Sequence, residues 1–188
     1  MVPQMMTAFG LVLVAAAVVA VSAAAAPDGS PDNVVQQRQQ DMKAMANAAK
    51  TIDAMFKGSS AYDAKAFKAA AETIGSHSGE RLSSLFEKSI ASPGSKTGAN
   101  IEDERPAFDK LAADLGVYAS TLSAAADRNP DVLGPQMRMQ GGDAMMGGPL
   151  ARKSEAHRDI GSMSAEHAFH LMLQTCTSCH ARFRVRAE

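Results

Sequence analysis

Between residues 33 and 56 apolar side chains return at steps of three and four: Val35, Met42, Met45, Ala49, Ile52 and Phe56, with Arg38 on the same stripe. That is the seven-residue seam of a helix with one buried face, and Gly58-Ser59-Ser60 ends it. The rhythm resumes over 63–90 through Phe67, Ala71, Ile74, Ser78, Arg81 and Leu85, with Gly75 and Gly79 as interruptions and Ser92-Pro93-Gly94-Ser95 as a breaker. A third helix is predicted over 102–127, where Phe108, Leu111, Leu115, Tyr118, Leu122 and Ala125 form the stripe and Pro106 suits the first turn. A fourth covers 162–185. Long helices joined by short polar turns predict an all-α fold, an antiparallel up-down-up-down four-helix bundle.

Two stretches break the pattern. Residues 129–161 are rich in Gly and Met, including Met137, Met139, Met145 and Met146, and exceed what a bundle loop needs. They read either as a surface loop or as a methionine-rich site for a soft metal such as copper(I). Residues 8–26 are apolar and alanine-rich and run into Pro27-Asp28-Gly29-Ser30. This predicts a signal peptide over 1–26, cleaved near Ala26, ahead of one domain at 27–188. The first seven residues lack Lys and Arg, so an uncleaved anchor is the alternative. Cleavage implies a periplasmic protein without stable membrane insertion.

The formal net charge of −1 gives no electrostatic case for nucleic-acid or lipid binding. No Ser-His-Asp arrangement, phosphate loop or carboxylate pair suggests turnover, so no enzyme is predicted. His167 and His170 are spaced to share a metal but find no third ligand in the sequence. His77 and His157 have no recognisable context.

The chain's two cysteines both fall in Cys176-Thr-Ser-Cys179-His180. On a helix, positions i, i+3 and i+4 share a face. The two thiols can then form thioethers to haem vinyl groups while His180 supplies the proximal nitrogen, the arrangement that attaches haem c. A thioredoxin-like redox pair belongs near a βαβ pattern, and no strands are visible. A structural zinc wants two further ligands, and a disulfide closing so short a loop stabilises little.

With this motif on the last helix of an exported bundle, the sequence resembles the class II cytochromes c, which include cytochrome c′ and its low-spin, methionine-ligated relatives. Cys176-x-x-Cys179-His180-x-x-Phe183-Arg184 carries the resemblance, together with Arg38-Gln39-x-x-Met42-Lys43 near the chain's first helix and Leu85-Phe86. Glu102 after Ile101, where many members carry Trp, and the segment 129–161 depart from the pattern. The resemblance implies one covalently bound haem c, Arg38 near a propionate, and Met42 on the side of the iron opposite His180. Arg184, one turn beyond His180, is expected to shield the proximal face. Ligation by Met42 gives a closed, low-spin electron-transfer carrier serving redox partner proteins, which is the leading expectation. Without ligation the haem is five-coordinate and high-spin and binds NO or CO. Met45 is a weaker alternate ligand, and a homodimer through the first two helices is left open.

Overall fold

The first seam is α1 (Pro31–Phe56) in a computed structural model that describes residues 31–87, 92–139 and 163–185. The predicted signal peptide and residues 140–161 of the Met-rich segment lie outside the described residues.

The helix predicted over 63–90 is two helices, α2 (Ala64–Ser76) and α3 (Gly79–Ser84). Asp63 caps α2, its carboxylate accepting from the backbone N–H of Ala66 at 2.8 Å. The break comes at His77-Ser78 because Gly79 has φ +60°, a left-handed conformation that ends helical propagation and that glycine takes without penalty. This resets the phase of everything downstream. Leu82 and Ser83 turn inward, and Arg81, placed on the seam by its spacing, is exposed instead. Gly116 on α4 (Arg105–Arg128) makes room for the break, since a Cβ there would stand 2.9 Å from Ser78 Oγ.

Helix α4 has Pro106 in its first turn and buries Phe108, Leu115, Leu122 and a ladder of alanines, while Leu111 and Tyr118 are only partly buried. Helix α5 (Ala165–Phe183) starts at Ser164, whose hydroxyl accepts from His167 N–H at 3.3 Å. Short 3-10 turns lie at Ala99–Ile101 and Pro135–Met137. The second is no loose loop: Met137 is fully buried, and Arg138 Nη1 donates to Phe56 O at 2.5 Å.

Helix α1 packs on α2, α2 and α3 pack on α4, and α4 packs on α5, giving the four-helix bundle with its second member broken. Aromatic edges lock the core, with Phe56 on Phe67 and Phe108 on Phe183 at ring separations of 5.5 Å each. Among the described residues there is no strand beyond one antiparallel bridge, Thr97 to Arg184, and no helix is long and apolar enough to cross a membrane.

Candidate haem site

Two cavities lie where α5 comes across from α1. The larger, about 430 Å³, is lined by Met42, Met45 and Ala49 of α1, Leu111 of α4, and Met172 and Cys176 of α5, among others. The second, about 390 Å³, lies toward the start of α1 and holds Arg38, Phe86, Lys96 and Arg184. Met42, Cys179 and His180 border both. The i, i+3, i+4 face of α5 thus opens on this space, as the spacing predicts.

Neither cysteine is in a disulfide. Burial raises the Cys176 thiol above its ordinary value. Burial, and then the neighbouring Cys176, push the Cys179 thiol up to about 11. Both are therefore protonated at neutral pH. His180 moves the other way, lowered first by burial and then by the Arg184 charge. Its ring is the neutral, metal-binding form at pH 7.

Arg38 is buried on the α1 seam, its Nε donating to Leu85 O at 2.7 Å and its guanidinium 4.5 Å from the Phe86 ring centre. Burial lowers its pKa from the usual guanidinium value. Leu85-Phe86 of the sequence pattern is thus the seat of Arg38. Arg184 has left the helix: it caps α5 in an extended conformation, and its N–H donates to His180 O at 3.2 Å. It still borders the second cavity, because its bridge to Thr97 and the bond from Val185 N–H to Lys96 O at 2.9 Å hold the chain there.

Sequence reasoning missed Lys96 and Asp41. Lys96 belongs to an irregular segment with no period to read. Asp41 sits beside Met42 and is 2% exposed; Gln37 Nε2 donates to it at 2.6 Å, and His77 Nδ1 and Arg81 Nε lie 3.3 and 3.8 Å away. That gives His77 the context its sequence neighbours do not. Met45 lines only the larger cavity, and His167 and His170 line neither.

A family profile for cytochrome c′ matches residues 33–143, more than half of the chain. The chain belongs to the cytochrome c′ family. Solved cytochromes c′ share its fold. The protein from Thermochromatium tepidum superposes with a TM-score of 0.59 at 21% identity, covering 85% of this chain and 100% of its own. A variant from Alcaligenes xylosoxidans, in ferrous form with bound NO, gives 0.59 at 19% identity, covering 85% and 99%. A cytochrome c′ described by its ligand-controlled dimer dissociation gives 0.59 at 17% identity, covering 84% and 98%. Comparison with curated proteins found no match.

The cofactor of this cytochrome c′ family member is covalently bound haem c. The residues present fit it: two thiols and a neutral imidazole on one helix face, a largely apolar cleft, and Arg38, Lys96 and Arg184 at one end of that cleft.

Proposed function

We propose that this cytochrome c′ is a periplasmic binding protein, not an enzyme, that takes up NO or CO at the haem face opposite His180. The observation that carries the reading is the α1 wall of the larger cavity: Met42, Met45, Ala46 and Ala49 are apolar, and the charged Lys50, Asp53 and Lys57 follow further along the helix. Family membership and the NO-bound relative support it.

Haem iron supplies reversible coordination of a small neutral molecule and a one-electron couple. The protein does the rest. Cys176 and Cys179 tether the group through thioethers, and His180 offers its neutral ring nitrogen. Arg38, Lys96 and Arg184 provide the cationic side chains that would hold propionates by charge-assisted hydrogen bonds. The apolar wall keeps out water and anions, whose desolvation it does not compensate, and admits an uncharged diatomic molecule. A homodimer through α1 and α2 belongs to the same proposal, and sedimentation velocity tests it.

A second reading rests on a specific observation. Met42 borders both cavities together with His180, so its sulfur is the donor available to complete the coordination. The protein would then be a low-spin electron carrier for redox partner proteins. The absorption spectrum of the oxidised protein, followed by CO and NO titration of the reduced form, separates the two. A high-spin spectrum with stoichiometric gas uptake is expected. A low-spin spectrum that turns high-spin in Met42→Leu, with no gas uptake by the parent, would replace the first reading by the second.

A further inference from the structure

We propose that Met139 and His170 form a binding site for a soft monovalent metal ion, copper(I) or its redox-inert analogue silver(I), on the side of α5 away from the haem cleft. The structure brings His170 Nδ1 to 3.2 Å from the Met139 sulfur. The sequence offers a methionine-rich segment and a His167/His170 pair as separate leads, and neither is complete alone. In the fold the first described residues of that segment return to the helix that carries the histidines.

The donor set selects the metal. A thioether is a soft ligand and a neutral imidazole a borderline one, which suits copper(I) and disfavours magnesium or calcium. Copper(I) is satisfied by few donors. His167, three residues before His170, places a second imidazole within the same turn. Among the described residues no cluster of three His, Cys, Asp or Glu side chains exists, so a harder ion has no comparable site.

The backbone that carries the sulfur is tied to α5 before any ion arrives. Met139 N–H donates to Glu166 Oε2 at 2.8 Å, and Glu166 Oε1 lies 3.4 Å from Arg138 Nη1. On the preceding side Met137 is fully buried. Glu166 stands four residues before His170 and brings negative charge close to the site, partly offset by Arg138. The ring of His170 is exposed and Met139 is half-buried, so an ion reaches them from solvent. Neither residue lines the cleft of Met42 and His180. His170 and His180 are separated by about 15 Å along the helix, at 1.5 Å per residue. The two centres do not share a ligand.

The test is an anaerobic titration of the ferrous, haem-loaded protein with copper(I) against a chromogenic copper(I) chelator. The parent should withhold about one equivalent, and Met139→Leu and His170→Gln should each weaken binding about tenfold or more, with the haem spectrum unchanged. Silver(I) gives a second readout, raising the melting temperature of the parent but not of the variants. His170 is exposed and Met139 half-buried, and an intact haem spectrum and circular dichroism identify folded variants. Complete capture of the metal by the chelator overturns the proposal, leaving the 3.2 Å contact as a hydrogen bond alone. Binding by both variants equal to the parent overturns it equally.

Discussion

Arg38 shows how a charged side chain earns a place on an apolar seam. Its guanidinium is buried, bonded to Leu85 O and stacked on Phe86, so the residue ties α1 to the end of α3 as well as bordering the cleft. Lysine can neither fork nor stack in this way. Arg38→Lys should destabilise the haem-loaded protein by about 1.5–3 kcal/mol, measured by urea unfolding, from the lost charge-assisted bond and stacking. The thiols give a second prediction at this scale. In the unfolded chain Cys179 ionises near its ordinary 9.0, whereas burial keeps it protonated to about 11. Between those values the unfolded state holds fewer protons, so the stability of the haem-free chain falls as pH rises from about 9 toward about 11. Thioethers do not ionise. The haem-loaded protein should therefore lack this slope, and urea midpoints at about pH 8 and about pH 10 check it.

At the scale of elements, Gly75 and Gly79, four residues apart, are physically opposite. Gly79 has φ +60° with open space around it, so Gly79→Ala meets only backbone strain and should cost about 1–2 kcal/mol. Gly75 lies in α2, and an added Cβ there meets Ala119 at an ordinary 3.6 Å. Gly75→Ala should stabilise by about 0.5–1 kcal/mol through helix propensity, and thermal melts of both variants read the opposite signs. The four seams were legible because buried faces impose a period on residue type. The break at His77-Ser78 was legible only as an interruption at Gly79: Ser78 and Arg81 keep the period in the sequence, while the chain conformation at Gly79 shifts it in space. The haem face was legible for a related reason: covalent attachment fixes the spacing of Cys176, Cys179 and His180. Lys96 was not, since a backbone pairing with Val185, and no pattern of its own, delivers it to the cleft.

For the whole molecule, the order of contacts matters most. Each helix packs on its neighbours around the bundle, while α1 and α5 meet across the haem cleft. A haem-free Cys176→Ala/Cys179→Ala chain should keep α2 and α4 protected and lose protection first in α1 and α5. Hydrogen exchange resolved by helix checks this, and uniform loss across all helices would count against it.

The cleft's two walls, α1 and α5, are also the first and last helices among the described residues. During synthesis, α1 to α4 emerge well before residues 176–180 exist. No partial product that stops short of them has a thiol to offer, or the His180 imidazole beside it. Cofactor loading therefore acts as a completion check: a chain that has become coloured has already been made through residue 180.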